Sequence, residues 1–384
     1  MMPRRLRLGM VGGGEGAFIG GVHRIAARLD DEFELVAGAL SSDVNRAASS
    51  AAALRLSPQR SYADFRTMAM EEAARPDGID AVAIVTPNHL HHAPVRAFLD
   101  AGIEVICDKP LARTVAEAED LAGVVSQSGR IFVLTYNYTG YPMVRHAREM
   151  IQGGALGAIR VVQVEYAQEW LATPLEASGH KQAAWRTDPE RSGAGGALGD
   201  IGTHAFNLAE FVTGLRCELV AADLTAFVPG RRLDDNANIL LRFLGGARGS
   251  LWCSQVAPGH ENGLKLRVYG EAGSIEWAQE NPNQLRHAPL GKAPVMVSRG
   301  GPGAGVAAVQ ATRIPAGHPE GYLEAFAQIY RDAAALIRAR RDSIEPPADC
   351  ALLPDVAEGL RGLRFIAACV KSSVAGSRMI SIED

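Results

Sequence analysis

Aromatic side chains are scarce in this 384-residue chain, at 6% of the sequence, and positive charge is not in excess: 39 basic residues stand against 43 acidic ones. A net charge of −4 with no basic cluster excludes a nucleic-acid binder, whose affinity comes from neutralising phosphates with Lys and Arg. No apolar run approaches the roughly 20 residues that a membrane span requires, so no membrane association is expected. The five cysteines (Cys107, Cys217, Cys253, Cys350, Cys369) are odd in number, scattered and never in a C-x-x-C pair. That excludes a disulfide framework and fits reduced thiols in the cytoplasm. The basic start, residues 1–9, runs straight into a strand pattern without the apolar stretch of a secretory signal, which supports the same expectation. With neither a G-x-S-x-G elbow nor a cysteine set as nucleophile, covalent hydrolysis is also excluded.

What the chain has is enough apolar material, 47%, for about two domains with real cores. Its first third alternates strand and helix patterns: strands at 6–12, 33–40, 80–85, 103–107 and 130–136, helices at 22–29, 46–54, 93–100 and 114–126. This spacing predicts βαβ units and a doubly wound parallel sheet, with its ligand crevice at the carboxyl ends of the strands. Beyond residue 140 the texture changes. A helix at 144–152 and a half-exposed strand at 160–170 precede a polar loop at 172–196. A helix at 201–212 is closed by Gly214. Strands at 219–227, 238–243, 247–255, 264–270 and 274–279, separated by short glycine-containing turns, predict an open, mainly antiparallel sheet in a second α/β domain. The stretch 289–317 reads as an irregular cleft cover, and 321–340 and 353–372 as helices. The expected domains are 1–138, for dinucleotide binding, and 139–384, for substrate binding and oligomerisation.

Directly after the first strand comes Gly12-Gly13-Gly14-Glu15-Gly16-Ala17-Phe18-Ile19-Gly20-Gly21-Val22-His23. Gly12 and Gly14 supply two glycines of a dinucleotide fingerprint, one for the tight turn and one for close approach of a pyrophosphate. The phosphates would rest on amides at the positive end of the helix that follows, with Phe18 and Ile19 of the loop as further cofactor-binding candidates. The third glycine position has two readings: Ala17 at the strict spacing, or Gly20 if the loop is three residues longer. At the end of the second strand, Asp43 could meet the ribose hydroxyls, favouring NAD. Alternatively, Ser41, Ser42 and Arg46 could cradle a 2′-phosphate, favouring NADP.

Two further stretches carry chemistry. The fourth strand delivers Asp108-Lys109-Pro110 to the sheet's carboxyl edge, where a lysine can hydrogen-bond a reacting hydroxyl; the bland alternative is a surface ion pair at Asp108. In Gly199-Asp200-Ile201-Gly202-Thr203-His204, Asp200 and His204 are four apart and on a helix share one face. A carboxylate one turn before an imidazole can orient it as a general base. The alternative is that Asp200 is a helix N-cap and His204 a satisfied, half-buried histidine.

With Thr86-Pro87-Asn88-His89-Leu90-His91, these motifs occur in an order that resembles the Gfo/Idh/MocA family of NAD(P)-dependent oxidoreductases over the whole chain. The resemblance implies a Rossmann domain followed by an α/β domain whose open sheet often forms oligomer interfaces, hence a homo-oligomer, dimer or tetramer. It implies interconversion of a secondary alcohol and a ketone on a sugar or cyclitol. The family lysine, usually in Glu-Lys-Pro, maps onto Lys109, and its acid and histidine onto Asp200 and His204. Asp108 replaces the usual Glu, and the glycine loop is longer than the common form. The resemblance also puts Thr86, Pro87 and Asn88 beside the dinucleotide and aims His91, Asp108, Asn137, Trp185 and Arg186 toward cofactor or substrate.

Other candidates follow from residue chemistry. Tyr138, Tyr166, Gln168 and Trp170 are suited to floor a sugar pocket, with aromatic faces for C–H surfaces and polar tips for hydroxyls, or else to packing. Asp234-Asp235-Asn236 reads as a turn before a strand, and His318 as a minor substrate candidate. His89, His91 and His92 lack the acidic or cysteine partners of a metal site, so no metal is expected. The expected protein is an NAD(P)-dependent dehydrogenase in which Lys109 and His204 meet the reacting hydroxyl and Tyr138, Gln168 and Asp200 help to hold the substrate. The alternatives are an enzyme that keeps its NAD bound with no net redox change, and a catalytically silent dinucleotide-binding protein.

Overall fold

The computed structural model describes residues 4–383. The chain divides into two compact units: Met1–Asn137 with Leu323–Leu360, and Tyr138–Tyr322 with Arg361–Asp384.

In the first unit, β1 (Leu6–Gly12), β2 (Phe33–Ala39), β3 (Ala81–Val85), β4 (Glu104–Cys107) and β5 (Phe132–Leu134) form one sheet of order β2-β1-β3-β4-β5. Every pairing is parallel. Such a sheet is covered on both faces, which is why β3 and β4 are buried at every position and β3 reads as an unbroken apolar run. The connecting helices start on sequence signals: Thr114 and Glu117 form a reciprocal capping box before Val115–Ser128, and Asp64 caps Phe65–Ala74. The second of these helices was not expected, because its weakly periodic FRTMAMEEAA hides the buried Met68, Ala69 and Glu72. Edge strand β5 is closed by Pro354, whose carbonyl accepts the Leu134 N–H at 2.8 Å.

In the second unit, nine strands form a mixed sheet: β6 (Ile159–Ala167), β7 (Cys217–Thr225), β8 (Asn236–Phe243), β9 (Arg248–Ser254), β10 (Gly263–Gly270), β11 (Gly273–Ala278), β12 (Gln284–Pro289), β13 (Val295–Ser298) and β14 (Ile380–Ser381). Their order is β13-β12-β11-β10-β6-β9-β8-β7-β14, and only β6 and β9 pair in parallel. Burial alternates along β8, so one sheet face is covered and the other is open. Helix Thr203–Thr213 lies on the covered side, its Phe206 stacked on Phe365 with ring centroids 4.0 Å apart. Gly214 closes that helix in the left-handed conformation, as expected. The stretch read as irregular holds β13 and a short helix, Val306–Ala311. Likewise the loop 172–196 holds Lys181–Arg186 and Pro189–Ser192. Elements this short carry no readable periodicity.

Candidate active site

The strand order of the first unit reverses between β1 and β3, whose ends Gly12 and Val85 are paired, and ligands of doubly wound sheets bind beyond such a switch point. Gly12 and Gly13 turn the chain there with φ of +81° and +72°, a conformation that side chains disfavour. A Cβ on Gly20 would stand 2.3 Å from Gly13 Cα, so Gly20 is the glycine that lets helix Phe18–Leu29 lie against the turn. The longer-loop reading therefore holds, and Ala17 is the N-cap of that helix. The helix begins with no side-chain cap and no acid in its first turn, leaving its amides and dipole to an anion. Phe18 stands 71% exposed at this entrance. At the end of β2, Asp43 caps the next helix by accepting the Arg46 N–H at 2.8 Å, and its own N–H donates to Ser41 Oγ at 3.1 Å. Ser42 and Arg46 are exposed beside it.

After β3, Thr86 Oγ1 donates to Leu90 O at 2.9 Å, and Asn88 is nearly buried. His91 is placed differently from expectation. Its ring is fully buried, with Nε2 2.7 Å from Thr86 O and Nδ1 2.7 Å from Pro110 O, so it ties the loop after β3 to the loop after β4. His92 pairs with Asp120 at 2.7 Å. On the β4 loop, Lys109 is half-buried and joined to Pro110 by a cis peptide. Asp108 accepts from Thr135 Oγ1 at 3.0 Å and lies 3.7 Å from His23 Nε2, whose other ring nitrogen is 2.7 Å from Tyr330 OH. Burial alone would raise the Asp108 carboxyl, but the imidazole of His23, followed by Lys109 and His91, outweighs it and holds the carboxyl at about 2. Asp108 is thus a fixed negative charge next to Lys109. Asn137 is buried and its Nδ2 has no hydrogen-bond partner, which suits a polar ligand group. The glycine turn, the uncapped helix and this amide together fit a dinucleotide.

The second unit builds the other half of the expected chemistry. Asp200 is not an N-cap; it sits inside a π-helical turn, Leu198–Gly202, that runs into helix Thr203–Thr213. The wider π turn keeps Asp200 and His204 about one turn apart, and such turns recur at functional sites. Asp200 Oδ2 accepts from Arg186 Nε at 3.2 Å and from Gln255 Nε2 at 2.9 Å. Arg186, expected to reach cofactor or substrate, also lies over the Trp185 ring at 4.3 Å. His204 is buried, its ring edge-on to Tyr138 with centroids 4.8 Å apart.

Beside it runs a rail of amides whose orientations are determined at both ends. The donor-only indole of Trp170 gives its N–H to Gln168 Oε1 at 3.0 Å, so the amide nitrogen of Gln168 faces Asn262 Oδ1, at 2.7 Å. Gln255 Nε2 lies 3.4 Å from Gln168 Oε1 and donates to the acceptor-only carboxylate of Asp200. Tyr166 OH also donates to Asn262 Oδ1 at 2.8 Å, so the 2.5 Å contact between the two phenols has Tyr138 as its donor. Burial pushes both phenols well above their ordinary range, and they act as hydrogen-bonding groups rather than bases.

Sequence reasoning missed Gln255 and Asn262, which carry no motif, and also the role of Asp234. That residue is an anchor rather than only a turn. Its carboxylate accepts the N–H groups of Gly196 at 2.7 Å and Leu198 at 2.8 Å, and its carbonyl accepts that of Ala197 at 2.8 Å, pinning the start of the segment that carries Asp200 and His204. Burial raises the Asp234 carboxyl to about 6, against the pull of the Leu198 and Gly196 amides. Among the described residues no helix is long and apolar enough to cross a membrane, and no group of three His, Cys, Asp or Glu side chains is set to hold a metal.

Residues 6–138 match the oxidoreductase family with an NAD-binding Rossmann fold, and residues 144–276 match the Gfo/Idh/MocA C-terminal domain. The chain belongs to the Gfo/Idh/MocA oxidoreductase family. An oxidoreductase structure from Sinorhizobium meliloti is 53% identical with a TM-score of 0.89, over 98% of this chain and 100% of that one. An inositol dehydrogenase homolog from Azotobacter vinelandii, crystallised with NADH and myo-inositol, is 38% identical with a TM-score of 0.91, over 99% and 98% of the two chains. Levoglucosan dehydrogenase of Pseudarthrobacter phenanthrenivorans is 31% identical over 74% of this chain and 76% of its own. This Gfo/Idh/MocA member is accordingly an oxidoreductase whose N-terminal domain binds NAD.

Proposed function

We propose that this oxidoreductase interconverts a secondary ring hydroxyl and a ketone on a sugar or cyclitol, with NAD as partner. The carrying observation is the amide rail Asn262–Gln168–Gln255–Asp200, a row of oriented donors and acceptors suited to adjacent ring hydroxyls, with Tyr166 bonded to its Asn262 end and 6.3 Å from His204 between ring centroids. The similarity to inositol and levoglucosan dehydrogenases supports the same substrate class.

Gly12, Gly14, the helix end at Phe18 and Ile19, Thr86, Pro87, Asn88 and Asn137 would hold the dinucleotide, which supplies the hydride acceptor. The Asp43 carboxylate at the β2 tip favours NAD over NADP by repelling a 2′-phosphate. His204 takes the hydroxyl proton, its ring held by Tyr138. Lys109 orients the reacting oxygen and stabilises its developing negative charge. Asp200, clamped by Arg186 and Gln255, receives a neighbouring hydroxyl or supports the imidazolium. The exposed cross-strand pair Val161 and Tyr269, with Leu240, supports the sheet's open face as a homo-oligomer interface, testable by sedimentation.

Lys109→Met tests the chemistry. The variant is expected to bind NADH as the wild type does and to lose at least about 10²-fold in kcat, the scale of one acid–base group. Near-normal turnover would refute the mechanism.

A further inference from the structure

The second unit contains a cavity of about 630 Å³ formed entirely by its own residues. That volume lies well within the roughly 300–1,000 Å³ of small-molecule sites. Tyr141, Asn262, Gln279 and Tyr322 line it, with Glu261 and Glu280. It adjoins the amide rail through Asn262, whose Oδ1 is held by Gln168 and Tyr166. Asn262 is three hydrogen bonds in series from Asp200: to Gln168, to Gln255, and then to the carboxylate. The rail thus joins the cavity to the carboxylate of Asp200 within the same unit.

Its chemistry is selective. The carboxamide Oε1 of Gln279 is buried without a hydrogen-bond partner, while its Nε2 donates to Tyr141 OH at 3.4 Å. A buried acceptor of this kind calls for a donor from a ligand. The Asn262 and Asn281 amides and the phenols of Tyr141 and Tyr322 also line it, whereas the Asn283 amide is held by Arg299 and Glu320. No lysine, arginine or histidine lines the cavity. Of its three glutamates, Glu320 is neutralised by Arg299 at 2.8 Å. Glu261 and Glu280 are exposed, and Glu280 Oε1 accepts the Asn262 N–H at 3.1 Å. The negative balance repels phosphates and carboxylates and accepts neutral polyols.

We propose that this cavity is a subsite for a second, uncharged sugar ring, so that the substrate is a neutral glycoside rather than a free monosaccharide, a sugar phosphate or a uronate. The proposal rests on the dehydrogenase reading above and names the substrate class of that same site.

The test measures NADH formation by the full-length protein with NAD+ and a defined panel. The panel is glucose, galactose and myo-inositol; maltose, cellobiose, lactose and galactosyl-inositol; glucose 6-phosphate, inositol 1-phosphate and glucuronate. At least one two-ring compound is expected to exceed its own single ring at least tenfold in kcat/KM, with the phosphates and glucuronate at least tenfold below the neutral single rings. Gln279→Leu is expected to reduce the two-ring value at least fivefold more than the single-ring value, chiefly through KM. Glu261→Lys is expected to narrow the gap between glucose and glucose 6-phosphate. Single rings oxidised as well as every glycoside, or a Gln279→Leu effect equal on both, overturns the subsite and leaves the dehydrogenase standing. No NADH from any compound overturns the dehydrogenase reading itself, and the subsite with it.

Discussion

Adding one methyl group at Gly20 tests whether the glycine turn and the helix behind it form a single cofactor cradle. The new Cβ would meet Gly13 Cα at 2.3 Å and Gly13 O at 2.8 Å, both backbone atoms, whereas carbon atoms rest about 3.5–4.0 Å apart. Relief therefore requires the turn and helix Phe18–Leu29 to separate by roughly 1 Å, at the ~1–3 kcal/mol typical of overpacking. The gain of about 1 kcal/mol for alanine over glycine inside a helix offsets part of this. The neighbouring Gly21 supplies the control: its Cβ would meet only Arg24 Nη2, at 3.9 Å, so Gly21→Ala keeps the helix gain with no clash. Gly20→Ala is expected to lower Tm by a few degrees, at roughly 2–4 °C per kcal/mol for domains of this size, while Gly21→Ala holds or raises it. NADH fluorescence titration should show at least tenfold weaker binding for Gly20→Ala, since losing one charge-assisted hydrogen bond is worth about 1.5–3 kcal/mol. If the two variants match each other in Tm and in NADH affinity, the cradle argument fails.

Two half-buried carboxylates should give opposite pH signatures. Asp108, held at about 2 in the folded state against an ordinary 3.8, adds about 2 kcal/mol of stability above pH ~4 that is lost as pH falls toward 2. In urea titrations, Asp108→Asn should therefore differ from wild type at pH 5 and converge with it near pH 2. Asp234, raised to about 6, binds its proton more tightly when folded, so its contribution falls by about 3 kcal/mol as pH rises from ~4 to ~6. Asp234→Ala should flatten that fall, and it should also lower kcat while sparing NADH affinity, because the Gly196 and Leu198 amides lose their acceptor; an unchanged pH–stability profile would contradict this.

Much of this protein was legible residue by residue because the relevant physics is local. The apolar run at β3 is unbroken, and those at β1 and β4 are interrupted only by Arg7 and Glu104, because a parallel sheet is buried on both faces, and the glycine turn follows its strand directly. Gly214 marks a helix end through its own backbone conformation. Lys109, Asp200 and His204 stand out within short motifs, so their candidacy needed no tertiary information.

What the fold alone decided depends on which distant residues meet. Only packing selects Gly20 over Ala17, since the deciding contact is with Gly13 across the turn. Only the buried ring position turns His91 from a cleft-facing group into a tie between two loops. Gln255 and Asn262 reach Asp200 and Gln168 across 55 and 94 residues of sequence, so no local pattern announces them. Leu323–Leu360 packs with the first unit although the chain leaves that unit at Asn137. Local propensity writes turns, caps and strand runs into the sequence, while hydrogen bonds between distant side chains exist only once the sheet has brought them together.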